Sequence, residues 1–318
     1  MEHDFYIDHW GRKCTSWLFP LKKDIFVKPL ALALKKWYKY LVKTVFFGSG
    51  IYTIPIVEML KKHGLVYSVT TEKEEKLIGY LKKNNIPFLS SNLKSQKSIQ
   101  IIKEIKPDIG VLASYGALIP ELIIENFKFG ILNIHPSLLP KYKGPSPIQT
   151  TILNGDKTTG VTIIKLDDKI DHGPIAMQEK VELKGNETAG HLKNKLFAKG
   201  SQMMEKLLEK IERGEKIEFE NQNHSEESFT SKVTRQNGFV NISNTPKSET
   251  LEKMIRAYFP WPGVWTQFKL YGKERRIKLL PEQKIQVEGK KVMKLSEFVN
   301  GYQKEGRLLL LQLGLSAF

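Results

Sequence analysis

Short apolar runs alternate with stretches of helical period between residues 44 and 134, and that alternation restricts the chain to one architecture. Thr44-Val45-Phe46-Phe47 reads as a strand; Gly48-Ser49-Gly50 follows, and residues 51–62 read as a helix that stops before Gly64. Residues 65–70 read as a second strand, 72–84 as a helix, 87–89 as a short strand, 98–105 as a helix and 108–113 as a continuous apolar strand. Strands separated by helices build a parallel sheet covered on both faces, because each crossover lays a helix over the sheet. The pattern predicts an α/β fold with a Rossmann-like parallel sheet.

Further strands are predicted at 131–134, 160–166 and 175–183. Residues 187–212 form one long amphipathic helix, with Leu192, Leu196, Met203, Leu207 and Ile211 near helical spacing. The expected organisation is an N-terminal extension (1–42), a catalytic block (43–214), a polar linker (215–237) and a small β-rich domain (238–318) whose short runs are punctuated by Gly and Pro. Residues 1–42 show no clean period. A translation start at Leu41 or Val42 would make them an artefact of the gene model; the rival is a basic, aromatic appendage for RNA or a membrane surface.

One cysteine, Cys14, excludes a disulfide framework or a cysteine metal site and fits a reducing cytoplasm. No apolar run is long enough to span a membrane, no metal site is expected, and nothing requires more than a monomer. The net charge is +16, and residues 238–318 carry 14 Lys and Arg against 7 Asp and Glu, which suits a polyanionic partner; a general lysine bias is the alternative.

The densest polar signal is Asn133-Ile134-His135-Pro136, at the end of a buried strand. Alternation puts Asn133 and His135 on one side of that strand, and strand ends are where open α/β sheets bind ligands. Asp171 lies in a predicted turn, where an Asx-turn role would also account for it. Together the three suit transfer of a carbonyl group to an amine. An Asn amide can donate to the developing oxyanion, and a positioned His or carboxylate can take the amine's proton; which of His135 and Asp171 does so is left open. No activated nucleophile is visible, because Ser137 lacks the nucleophile-elbow glycines, so direct attack by the amine is favoured. Gly48-Ser49-Gly50 opens a helix, whose N-terminus favours anions, but Thr53 leaves a dinucleotide fingerprint incomplete.

On these residues the chain resembles the methionyl-tRNA formyltransferases, within the wider formyltransferase family. The family's Asn-x-His pair matches Asn133 and His135, its catalytic Asp matches Asp171, and its Ser-Leu-Leu-Pro loop followed by Gly matches Ser137, Leu138, Leu139, Pro140 and Gly144. Residues 144–149 and the run Arg256-Ala257-Tyr258-Phe259-Pro260-Trp261-Pro262-Gly263 are similar to the tRNA-acting members. The resemblance implies 10-formyltetrahydrofolate as donor, contacts from Ser137, Leu138, Leu139, Pro140 and Gly144 to that folate, the methionyl group of initiator tRNA as acceptor, and a C-terminal OB-like small β-barrel that binds tRNA. An amino sugar nucleotide is the alternative acceptor. In one departure, the long basic loop that such enzymes carry after the second strand is reduced here to Thr70-Thr71-Glu72.

Overall fold

The computed structural model describes residues 42–71, 74–90 and 93–316, and the backbone of residues 6–7 and 13–14. The chain divides into two units, Met1–Tyr40 and Leu41–Phe318. In the first, Tyr6–Ile7 and Lys13–Cys14 pair antiparallel; the rest of the expected extension, Val42 apart, lies outside the described residues.

In the second unit five strands run parallel: β1 (Thr44–Gly48), β2 (Leu65–Val69), β3 (Phe88–Leu89), β4 (Ile109–Ala113) and β5 (Ile131–His135). The expected Rossmann-like parallel sheet is thus present, and its last two strands, β6 (Thr158–Lys165) and β7 (Ile175–Glu182), run antiparallel at one edge. Residues 166–174 are too few for the dozen or more that a parallel crossover needs, so β6 and β7 close as a hairpin. The order is β3-β2-β1-β4-β5-β6-β7. Strand order therefore reverses between β1 and β4, the kind of point at which open α/β sheets hold ligands.

Helices cover both faces. Residues Ile51–Thr53 make a 3-10 turn into α1 (Ile54–Lys61), whose first turn holds Pro55, where a missing N–H costs nothing. On the α1 face Phe46 packs with Ile56, Leu60 and, from α6 (Ala189–Glu212), Leu196 and Met203. Val45 and Phe47 point to the opposite face, with Ile102 of α3 (Gln96–Ile105) and Ile123 of α4 (Glu121–Ile124); α2 (Glu75–Lys83) precedes α3 and α5 (Pro147–Asn154) precedes β6. Each such fully buried side chain stabilises the fold by about 1.5–3 kcal/mol.

Residues 215–237, expected as a linker, lie along the catalytic block: Ile175 N donates to Glu220 O at 2.7 Å, and Lys143 bridges to Phe229. Beyond them come α7 (Ser248–Ala257), an antiparallel meander β8 (Val264–Leu270), β9 (Lys273–Leu280), β10 (Lys284–Val287), β11 (Met293–Lys294), and α8 (Leu295–Gln312). The expected barrel is not closed: the meander is a four-stranded open sheet among the described residues. Closure needs strands long enough to tilt and stagger, whereas β11 has two residues and α8 begins at once. The free side of β8 is met by Val240, whose N–H donates to Trp265 O at 2.8 Å. Helix α7 is hard to read in this β-rich region because its buried Leu251 and Ile255, four apart, sit between Pro- and Gly-punctuated runs.

Candidate active site

Asn133 and His135 close β5 side by side on one face of the strand, both buried. Asp171 reaches them from the β6–β7 hairpin. Asn133 Nδ2 donates to Asp171 Oδ1 at 3.1 Å, and His135 Nδ1 lies 3.4 Å from Asp171 Oδ2. The same Oδ2 accepts the Gly144 N–H at 2.8 Å. His135 Nε2 stands 3.0 Å from the Tyr142 carbonyl. A carbonyl can only accept, so this contact puts a proton on Nε2 and leaves Nδ1 facing the carboxylate.

Local sequence explains these positions. Asp171 has φ 48°, a left-handed conformation that Asp tolerates better than most residues. Its turn presses on the end of β6: a Cβ on Gly173 would fall 1.8 Å from the Lys165 carbonyl oxygen, so only glycine fits. Gly144 has φ 101°, and a Cβ there would stand 3.0 Å from Thr230 O. Gln222 clamps the turn from the 215–237 segment, its Nε2 donating to Asp171 O at 3.0 Å and to Gly173 O at 2.8 Å.

The three side chains line one cavity of about 230 Å³. Leu112, Tyr115, Ile148 and Phe197 supply apolar wall, and Ser114, Gln149 and Lys193 add polar groups. Lys193 Nζ sits 4.6 Å from the Tyr52 ring centroid, and the Tyr52 hydroxyl is 2.8 Å from Ser114 Oγ. Burial pushes the Lys193 ammonium below the ordinary lysine range, opposed by the Glu74 carboxylate. Among the described residues no carboxylate lies within ion-pairing distance of it. Burial likewise raises the Tyr115 phenol.

Of the five residues expected on the folate, Gly144 lines this cavity and the other four build the loop beside it. Ser137 Oγ donates to Lys141 O at 2.7 Å, so its one O–H is used within the loop and its oxygen remains an acceptor. Leu139 is buried, its N–H held by Thr162 Oγ1 at 3.1 Å and its carbonyl by Gln178 Nε2 at 2.9 Å. Leu138 lies over Gly160, where a Cβ would meet it, and Pro140 O accepts from Ser228 N at 3.3 Å. The anion-favouring turn at Gly48-Ser49-Gly50 holds an anion of this same chain: Gly50 N donates to Glu74 Oε2 at 2.8 Å.

Behind the cavity wall lies a charged cluster. Lys143, fully buried, donates to Glu227 Oε2 at 2.6 Å and stands 3.2 Å from His224 Nδ1. His224 stacks on His172 at 4.0 Å, and His172 Nδ1 is 2.6 Å from Asp167 Oδ2. Gln222, Lys193 and Lys143 escaped the sequence reading: each sits in a polar stretch or on a helix surface, where nothing in spacing marks it. No group of three or more His, Cys, Asp or Glu is placed to hold a metal among the described residues, and no helix there is long and apolar enough to cross a membrane.

Comparison with known proteins identifies the family. A family model described as "Formyl transferase" matches residues 43–208. The chain is 32% identical over 238 residues to a methionyl-tRNA formyltransferase of Chloroflexus aggregans, covering 71% of this chain and 76% of that protein. It is 32% identical over 249 residues to the enzyme of that name in Thermotoga maritima, covering 73% and 79%. Among solved structures, a 4-N formyltransferase from Francisella tularensis matches with TM-score 0.62 at 21% identity over 76% of this chain and 99% of that one. The N-formyltransferase from Helicobacter canadensis, solved with folinic acid and dTDP-3-aminofucose, matches with TM-score 0.58 at 22% identity over 77% and 95%. At such identities the structural likeness carries the fold alone, whereas the family match and the relatives above 30% carry more: the chain belongs to the formyl transferase family.

Proposed function

We propose that this protein transfers a formyl group from 10-formyltetrahydrofolate to an amine on a phosphate-bearing acceptor, and that the acceptor is methionyl-initiator tRNA. The observation that carries the chemistry is the meeting of Asn133, His135 and Asp171 at the wall of one cavity. That cavity suits a flat heterocycle carrying a formyl group, with apolar sides at Leu112, Tyr115 and Phe197 and hydrogen-bonding groups gathered beside them. When bound, the donor supplies an electrophilic formyl carbon.

The side chains divide the work. Asn133 gives one amide N–H to Asp171, and its second N–H donates to the formyl oxygen as the amine attacks and charge builds there. His135 Nδ1 takes the proton that the amine sheds and returns it to the nitrogen from which the carbon departs. Asp171 steadies the imidazolium formed in between, and the Gly144 N–H holds its carboxylate in place. Ser137, Leu138, Leu139 and Pro140 form the loop that the donor lies against. Lys193 offers the acceptor's negative charge an ammonium that no carboxylate ion-pairs among the described residues.

The tRNA reading is supported by the relatives above 30% identity, whose matched lengths of 238 and 249 residues extend beyond the family block at residues 43–208. It is also supported by exposed cations on the small sheet, including Arg276 and Lys278 of β9. An amino sugar nucleotide is the second reading. It is favoured by the open meander in place of a closed barrel, and by the short passage from β2 to α2 where a tRNA-gripping loop is expected. Formylation by the purified protein, with the folate donor and either methionyl-tRNA or a panel of amino sugar nucleotides, decides between them. Transfer to tRNA that falls steeply with added salt supports the first; transfer to a sugar alone selects the second, and transfer to no amine overturns both.

A further inference from the structure

Residues 220–230 belong to no strand of the main sheet, yet they hold both arms of the site. On one arm Gln222 Nε2 spends its two N–H groups on Asp171 O and Gly173 O. On the other, Lys143 N donates to Ser228 O at 2.8 Å, Thr230 N donates to Lys143 O at 2.8 Å, and Tyr142 N donates to Ser228 Oγ at 2.9 Å. Those arms meet where Gly144 N–H binds Asp171 Oδ2 and where the Tyr142 carbonyl receives His135 Nε2.

Gln222 is 6% exposed, and its Oε1 has no hydrogen-bond partner among the described residues. Burying an amide oxygen unpaired is unfavourable, and an apolar side chain of similar size would avoid it. What the amide supplies in return is a pair of donors aimed at two carbonyls flanking a left-handed Asp171. We propose that Gln222 is a positioning residue for formyl transfer: it holds the Asp171–Gly173 turn in the one conformation that lets the Asp171 carboxylate meet Asn133, His135 and the Gly144 N–H together. The inference rests on the role given to Asp171 above.

The test compares the full-length wild type with Gln222→Leu and Gln222→Glu, measuring kcat, KM for donor and acceptor, Tm and the pH profile. In Gln222→Leu, kcat falls about 10- to 100-fold, the scale of a reacting group displaced by about an ångström, while both KM values stay within about threefold. In Gln222→Glu the volume is kept but, ionised, the side chain has no donor for either carbonyl. Protonation restores one donor, so the ratio of variant to wild-type kcat rises as the pH is lowered. A side chain that only fills space leaves that ratio flat, which makes this variant informative even if Gln222→Leu fails to fold. Wild-type kcat in Gln222→Leu, or a flat ratio in Gln222→Glu, overturns the inference. A wild type that formylates no amine overturns the parent reading instead.

Discussion

Asn133 Nδ2 lies 3.1 Å from Oδ1 of Asp171, a residue 38 positions later in the chain. The bond spends one of the two Asn133 N–H donors and fixes the direction of the other. Removing an oxyanion donor of this kind costs about 10²–10³ in kcat. Asn133→Ala is therefore expected to lose turnover on that scale, and Asp171→Ala to lose most of it too, both with the chain still folded. Steady-state rates and circular-dichroism melts check this; near-normal formylation by either variant removes the assigned roles.

Gly144 joins backbone conformation to chemistry. Its φ is 101°, and Thr230 O would stand 3.0 Å from an alanine methyl at this position, so alanine does not fit without movement. Strain of this kind costs on the order of 1–3 kcal/mol, which corresponds to roughly 2–5 °C in Tm for a chain of this size. Gly144→Ala is expected to lower Tm within that range and kcat as well, since its N–H no longer meets Asp171. Unchanged kcat alongside a lowered Tm separates the glycine's structural role from its hydrogen bond.

Lys193 is desolvated and, among the described residues, has no carboxylate within ion-pairing distance, so the charge costs stability in the folded chain. Its pKa is lowered on folding, and between the folded value and the ordinary 10.5 the unfolded chain binds the proton more tightly. Stability from this side chain therefore rises with pH across that window. Lys193→Met is expected to keep or raise Tm while raising KM for the acceptor about 10- to 100-fold, the range of a hydrogen bond to a charged group. Lys193→Arg keeps the affinity. A KM effect confined to the folate donor assigns the charge to that ligand instead.

His224 titrates below 6.5, because desolvation and the neighbouring charges of His172 and Lys143 disfavour its cationic form. As the pH falls through 6.5 towards the folded value, the unfolded chain takes up the proton first and stability is lost. Glu227 is held below the usual carboxylate range by Lys143, so its own contribution is lost only as the pH falls below 4.5. His224→Gln is expected to flatten the dependence of Tm on pH between roughly 7 and 5 and to leave the more acidic loss in place. Identical slopes in variant and wild type exclude this source of acid sensitivity.

The strands of the main sheet, its helices α1, α2, α3 and α6, and the pairing of Asn133 with His135 on one side of β5 were legible in the sequence alone, whereas the short helices α4 and α5 were not. What was legible rests on periodicity, which backbone geometry imposes within a few residues. The tertiary structure alone decided what depends on packing between distant segments. It ran β6 and β7 antiparallel, left the small sheet open, turned the Ser137 hydroxyl into its own loop and tied Leu139 to Thr162 and Gln178 of the β6–β7 hairpin. It also set Glu74 on the Gly50 N–H and placed Gln222 against Asp171, 51 residues away. A hydrogen bond across such a separation leaves no local pattern, because it follows from where whole strands come to rest and not from the residues beside it.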